Sequence, residues 1–526
     1  MEEKKKRINI QILYPENESL HIEGKLTGKM YIENEKGDII PLDDVTNTPG
    51  GQMISGAEKR YCIDLPLYSG ASYSFCRKKK GEIFQLEPSY GKFSMLSNLK
   101  GSHLVHGEHI ISAEGDEIHI LKNALTTRLK LDHQLKKTFK DMGRSDVIEL
   151  RKAAKSLKES SRPIWLVSDR SDFAQDNGIA LFEYMMTNGA DKDRDIYFMI
   201  GEESPDYERV CRIGPVIKIG TTEHKEKVLA ATLIISSSGD DWVVNPFGKE
   251  KSYYRDIATA KFVFLQHGII KDDLSGWLNR FKKNPAIFIT SARGEYESIL
   301  NGDYGYDKSV VKLTGLARYD KLNDEKKKII SILPTWRKEL VPPLIPGTSE
   351  RPHVDEFVDS EYFRFYNELI NDPRLTTVMK EYGYTGYFYM HPNHINQACD
   401  FQGNDIFSVS TGKTEYSKVF RESALLVTDY SSVAIDFAYL KKPVVYAQFD
   451  KKTFYETHSY VEGYYDYERD GFGPVCYDFD DTVATMIRII ESGCREEEMY
   501  EERIGRFFAY TDRGNCQRIY EEIVKL

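Results

Sequence analysis

The chain has 526 residues, with 72 Lys and Arg against 82 Asp and Glu, a net charge of −10. That balance excludes a general nucleic-acid binder, whose surface should be basic, so no nucleic-acid partner is expected. Apolar residues at 40%, with 34 Tyr and 26 Phe, exclude a disordered chain, and the length is enough for roughly three to four domains or a bilobal enzyme with an appendage.

The opening stretch MEEKKKRINIQILYPENES holds no apolar core of signal-peptide length. No later stretch approaches the ~18 uncharged apolar residues of a membrane span. A cytoplasmic chain is therefore expected. The seven cysteines (Cys62, Cys76, Cys211, Cys399, Cys476, Cys494 and Cys516) are scattered and form no C-x-x-C. They read as reduced thiols, most of them in the core.

Residues 8–122 read as β. KMYIENEKGDIIPL is two extended runs around a turn, and EKRYCIDLPL, SYSFCRKKKGEIFQLE and GDEIHIL have the same alternating character. A small β-sandwich or barrel over 1–122 is expected. His103, His106 and His109 recur at a spacing of three, which does not keep side chains on one face of a strand, so a solvated or packed role outweighs metal binding there.

From 121 to 160 the period changes. Leu121, Leu125 and Leu129 fall at i, i+4, i+8, as do Leu131, Leu135 and Phe139, which predicts helix. Between Arg128 and Arg162 there are 11 Lys or Arg against 5 Asp or Glu. A basic amphipathic connector over 123–162 can lie on an anionic membrane surface. The alternative is a linker helix packing its leucines on a neighbouring domain.

From 163 onward the pattern is α/β. PIWLVSD, DIYFMIG, TLIISSS and FVFLQHG are apolar strands with helical segments between them. IISILPTWR, GYFYMHPN, ALLVTDYSS and PVVYAQFD form a second such series. Two successive series predict two doubly wound, Rossmann-like lobes, at 163–320 and 321–526, with ligands beyond the carboxyl ends of the strands. The Pro-rich stretch 338–357 reads as a long loop, a lid or an acceptor contact.

The polar motifs follow those strands directly. Gln266-His267-Gly268 delivers a histidine to a glycine turn after a buried strand, where it can serve as a general base. His391-Pro392-Asn393 repeats the arrangement in the second series, with His391 and Asn393 able to donate to phosphate oxygens. Asp429-Tyr430-Ser431-Ser432 places Ser431 and Ser432 at a helix start that favours anions, and Asp429 where it can orient a ligand hydroxyl or His391. Arg318 and Arg337 each follow a turn or strand and offer a planar fork for phosphate. A satisfied structural histidine, a simple N-cap and an ordinary surface arginine are the competing readings of these single motifs.

Taken together, IWLVSDRSDFAQDNGIALFEYM (164–185), FLQHGIIKDDLSGWLN (264–279), TGLARYD (314–320), PTWR (334–337), YMHPN (389–393), TDYSSVAIDFAYLKKPVVY (428–446) and DRGNCQRIY (512–520) resemble the CDP-glycerol glycerophosphotransferase family of teichoic acid and capsule synthesis. The resemblance covers roughly 160–520. It implies a glycosyltransferase-B-like fold that moves glycerol phosphate or ribitol phosphate from CDP-glycerol or CDP-ribitol to a hydroxyl of a lipid-linked polymer, releasing CMP. It implies His267 and His391 as the essential histidines, Arg318 as a phosphate ligand, and Asp429, Ser431 and Ser432 as donor ligands. Gln266-His267-Gly268-Ile269, followed by Lys271-Asp272-Asp273, departs from the Trp-His-Gly-Thr of many glycerol-phosphate members and resembles ribitol-phosphate and capsule-type members. No cofactor and no obligatory metal are expected, and attachment to the inner face of the plasma membrane is expected through 121–160. The rival reading is a nucleotide-sugar glycosyltransferase of cell-surface polysaccharide synthesis on the same architecture. A nucleotide-sugar epimerase and a non-enzymatic membrane- or polymer-binding module are further alternatives.

Overall fold

The computed structural model describes residues 6–45, 59–79, 82–345, 351–411, 415–457 and 461–526. It contains three sheets, of ten, seven and six strands, in that order along the chain.

The ten-stranded sheet occupies Arg7–Glu16 through Glu117–Lys122. Its strands alternate in burial, as in Ser19–Lys25, so that Ile8, Ile10, Leu20, Ile22, Phe75, Ile118 and Ile120 share one core. The expected sandwich or barrel takes the form of one continuous sheet, open at both ends of its hydrogen-bonded path among the described residues. The cause is the long strand Glu82–Ser94. Its first part pairs antiparallel with Ser72–Lys79 and its remainder pairs parallel with Arg7–Glu16, which carries the ladder from one half to the other.

Two helices, Leu125–Asp141 and Ser145–Ser160, follow, joined at Gly143 in the left-handed region (φ 71°). Leu135 and Phe139 are buried against Val147, Tyr254 and Ile257, and Leu131 is buried with them on the helix, as the helical period requires. Leu125 and Leu129 belong to the other face and stay exposed, at 62% and 58%. Leu121 belongs to the last strand of the sheet, Glu117–Lys122, rather than to the helix. Arg151 is buried beside them and pairs through both Nη atoms with Asp256.

The seven-stranded sheet is wholly parallel. Its order is Val216–Lys218, Asp195–Ile200, Ile164–Ser168, Leu233–Ser236, Lys261–Phe264, Ile287–Thr290, Val311–Leu313. The six-stranded sheet is also parallel, in the order Phe407–Ser410, Thr385–Tyr389, Ile329–Ile332, Leu425–Thr428, Val444–Ala447, Val475–Cys476. They read 3-2-1-4-5-6-7 and 3-2-1-4-5-6 in chain order, the doubly wound arrangement. Central strands such as IWLVS and LLVT are buried at every residue because helices cover both faces. In each lobe the order reverses between the first and fourth strands, so the loops that follow them meet: Asp169 with Ser237 in one, Thr335 with Asp429 in the other.

One apolar cluster runs through both lobes, joining Val167, Phe198 and Ile235 to Leu426, Phe437 and Tyr446. The last helix, Asn515–Ile523, returns to the first lobe. Its N-terminal amides at Asn515 and Cys516 donate to the Asp320 carboxylate at 2.9 and 2.7 Å, and Ile519 joins the shared core. Cys76, Cys476, Cys494 and Cys516 are buried thiols. Among the described residues, no helix is long and apolar enough to cross a membrane.

Candidate active site

The first-lobe half of the cleft is built on two buried carboxylates. Asp169 directly follows the first strand with no exposure and accepts N–H bonds from Asp176, Gly178 and Ile179 and an O–H bond from the Ser237 hydroxyl at 2.7 Å. Gly178 is required, since a Cβ there would stand 2.4 Å from the Ser168 carbonyl oxygen. Burial, with Asp176 nearby, pushes the Asp169 carboxyl up to about 6 against those donors.

Asp176, at the N-cap of helix Asn177–Thr187, holds His267 Nδ1 with one oxygen and Arg318 Nη1 at 2.6 Å with the other. Burial raises its carboxyl, and the charges of His267 and Arg318 outweigh burial and keep it below its ordinary value. The buried Asn177 side chain donates to the Gln266 carbonyl at 2.8 Å and accepts the Arg318 amide at 3.0 Å. Asp176 and Asn177 thus lock three separate loops together.

His267 itself is well exposed, its side chain at 64%. The residue that bends the chain is Gln266, a non-glycine in the left-handed region at φ 67°. Such a conformation costs on the order of 1–3 kcal/mol and persists where the surroundings over-determine it. Here Gln266 Nε2 donates to Glu295 at 2.8 Å, and Glu295, with no exposure, also accepts the amides of Ile270, Ser291 and Ala292. Gly268, expected to be the turn residue, instead lies against the second lobe: a Cβ on it would be 3.8 Å from Ser432 Oγ and from Arg318 Nη2. With Nδ1 directed to Asp176, neutral His267 carries its proton there and presents Nε2 as an acceptor. Nε2 lies 3.5 Å from Nη2 of Arg170.

In the second lobe, His391 Nδ1 accepts the amide of Asn393 at 3.1 Å, which leaves the proton of the neutral ring on Nε2. His391 and Ser431 line one pocket with Tyr389, Met390, Tyr416 and Val433. Ser431 Oγ accepts the Val433 amide, and Ser432 is the N-cap of helix Val433–Tyr439. Asn393 is half-buried beside His391.

Three expected phosphate or donor ligands sit differently. Arg337 is 2% exposed, and its guanidinium is taken up by Asp429, Asp450 and the Thr335 carbonyl. Asp429 is wholly buried and accepts from the amides of Thr335 and Tyr430, from Arg337 and from the Tyr366 hydroxyl. Both side chains are thus spent on the protein's own groups, and neither lines the pocket of His391 and Ser431. Arg318 spans the lobes, from Asp176 and the His267 carbonyl to both oxygens of Asp436 at 2.7 and 2.9 Å. Its guanidinium clamps the cleft and does not stand open for phosphate.

Other expectations are placed as follows. Lys271 is buried and pairs with Asp272, while Asp273 bridges to Val461 of the second lobe at 2.9 Å. Of the 338–357 loop, residues 346–350 lie outside the described residues. The part after them packs on 392–400 through Gln397, which bonds both the amide and the carbonyl of Val354. His103, His106 and His109 turn to Gly101, Asn17 and Ser69 respectively and do not converge. Sequence reasoning passed over Asp176, Asn177, Arg170, Glu295 and Asp436. The N-cap pattern of QDNG before an apolar helix, and a lone carboxylate inside AIDFAY, were the available signals.

Two wholly parallel, doubly wound sheets, each delivering a histidine from a strand end, define a glycosyltransferase-B-like protein. Residues 150–525 match the sequence model of CDP-Glycerol:Poly(glycerophosphate) glycerophosphotransferase, and the chain belongs to that family. It is 34% identical, over 99% of its length, to the minor teichoic acid biosynthesis protein GgaB of Bacillus subtilis (strain 168), and spans 60% of that protein. A 26% identity over 42% of the chain links it to the teichoic acid poly(ribitol-phosphate) polymerase of Bacillus spizizenii, of which 34% is covered. Among solved structures, the wall teichoic acid polymerase TagF shares the fold, at TM-score 0.50 and 16% identity, over 75% of this chain and 98% of that one. A TagF structure soaked with CDPG gives TM-score 0.51 at 17% identity, over 74% and 98%.

Proposed function

We propose that the chain transfers glycerol phosphate or ribitol phosphate from a CDP-alditol to a hydroxyl of a membrane-linked teichoic acid or capsule polymer and releases CMP. The observation that carries this reading is His267: Nδ1 is fixed by buried Asp176 and Nε2 faces the cleft between lobes of this family's fold. Nε2 takes the proton of the acceptor hydroxyl. The hydroxyl oxygen bonds to the distal phosphorus of the donor, the bond from that phosphorus to the bridging oxygen breaks, and the electron pair leaves with CMP. His391, with its proton on Nε2, donates to the phosphates beside Ser431. Asp429 and Arg337 brace the turn that leads into Ser431. The charge on the moving group is met by side chains, so transfer is expected to continue in a chelator.

The helix Leu125–Asp141 supports peripheral attachment to an anionic membrane on the cytoplasmic side. Leu125 and Leu129 are exposed on it, and Arg128, Lys130, Lys136, Lys137 and Lys140 surround them. The reaction class is tested by offering CDP-glycerol, CDP-ribitol and UDP-sugars with a lipid-linked acceptor. CMP release with phosphodiester formation is expected. Nucleoside diphosphate release with a glycosidic bond would instead establish the sugar-transfer alternative.

A further inference from the structure

Arg170 is the second residue after the first strand of the first lobe. Its backbone is fixed, because the preceding Asp169 is held by four donors. Its side chain is exposed in the cleft, with the guanidinium over the Phe173 ring at 5.3 Å and Nη2 3.5 Å from His267 Nε2. Tyr416 of the second lobe, in the pocket of His391 and Ser431, feels that charge: burial raises its phenol and the Arg170 charge draws it back. The guanidinium therefore stands beside the base and within electrostatic reach of a residue of the donor pocket.

Arg318 and Arg337 are each committed to two carboxylates. Arg170 pairs with no carboxylate among the described residues. When Nε2 accepts the acceptor's proton, the imidazolium keeps Asp176 as its counter-charge, whereas the Arg170 guanidinium beside it has no carboxylate among the described residues. Like charges at that separation disfavour protonation, and an anion between them removes the penalty. The group that must pass between His267 and the His391 pocket is the phosphoryl group.

We propose that Arg170 contacts the phosphoryl group while it is transferred, neutralising the charge that grows on its non-bridging oxygens. This rests on the transfer reading above. In that step the acceptor oxygen–phosphorus bond forms, the phosphorus–bridging oxygen bond breaks, the proton passes to His267 Nε2 and CMP departs with the electron pair; Arg170 neither gains nor loses a proton.

The test is CMP release by the full chain carrying Arg170→Gln or Arg170→Lys, with a polymer acceptor and with a short neutral alditol acceptor, from pH 6 to 9. The expected result is a loss of kcat of about 10²–10³-fold for Arg170→Gln with both acceptors at every pH. Partial recovery in Arg170→Lys and nearly unchanged CDP-alditol binding by titration should accompany it. A rise in KM confined to the polymer acceptor would assign Arg170 to the acceptor's own phosphates and overturn the proposal. A rate that recovers at high pH would reduce it to tuning His267, and overturn it too. Wild-type turnover in Arg170→Gln alongside an inactive His267→Ala overturns it while leaving the transfer reading standing. A wild-type chain that releases CMP from no CDP-alditol overturns the transfer reading and this proposal with it.

Discussion

The chemistry at His267 depends on which nitrogen carries the proton, and Asp176 decides that. Asp176→Asn keeps the shape of the cap but loses the charge that holds Nδ1–H and one of the two anchors of Arg318. Its amide can donate to Nδ1 and drive the proton onto Nε2, the wrong atom for a base. The expected outcome is a fall in kcat of about 10²–10⁴-fold with donor affinity largely retained, measured by CMP release and donor titration. An unchanged kcat would remove Asp176 from the assignment. At this scale the sequence was legible where a residue's place follows from the end of a strand: His267, His391, Ser431 and Ser432 each follow an apolar strand in the structure. Arg318, Arg337 and Asp429 also follow a turn or strand, but their partners come from distant loops. Nothing local to Arg337 announces Asp450, more than a hundred residues on.

At the scale of elements, period and burial carried most of the information. Strands such as LLVT and IWLVS are apolar throughout because helices cover both faces, and that is readable as a continuous run. The turn at Gln266 was not readable, because a left-handed glutamine is held there by Glu295 from another loop. In helix Leu125–Asp141 two leucine sets share the same spacing, and only packing tells them apart. Leu131 and Leu135 are buried and Leu125 and Leu129 are not. If that exposed pair and the lysines around it meet a membrane, Leu125→Ser with Leu129→Ser should weaken binding to anionic vesicles several-fold while leaving the fold intact. Co-sedimentation measures this. Equal binding by the variant, or no binding by the wild type, would leave the helix as a connector alone.

Across the whole molecule the β sheet is fastened to the first lobe. Arg280 reaches from that lobe to Glu23 at 2.6 Å, and Glu23 also holds His21, whose other ring nitrogen meets Asp64. Burial pulls the His21 ring down, but Cys62 and Glu23 outweigh it and push its pKa up to about 10. An unfolded histidine titrates near 6.5. The contribution of His21 to stability is therefore fully present below about pH 6.5 and is lost as pH rises through about 10. Denaturant unfolding at pH 6 and pH 10 should show that decline in the wild type and a smaller one in His21→Gln. Identical slopes would contradict it. Two lobes and a β-rich region were legible from the alternation of strand and helix patterns. The return of Asn515–Ile523 to the first lobe was not, because its docking depends on Asp320, almost two hundred residues earlier.

The central claim is that this cleft moves an alditol phosphate with His267 as base. It is tested most directly by comparing nucleotide release from CDP-glycerol and CDP-ribitol by the wild type and His267→Ala, each with a lipid-linked acceptor. The account predicts CMP from the wild type with at least one of these donors, and none above background from His267→Ala although it still binds that donor. Normal turnover by His267→Ala would contradict it.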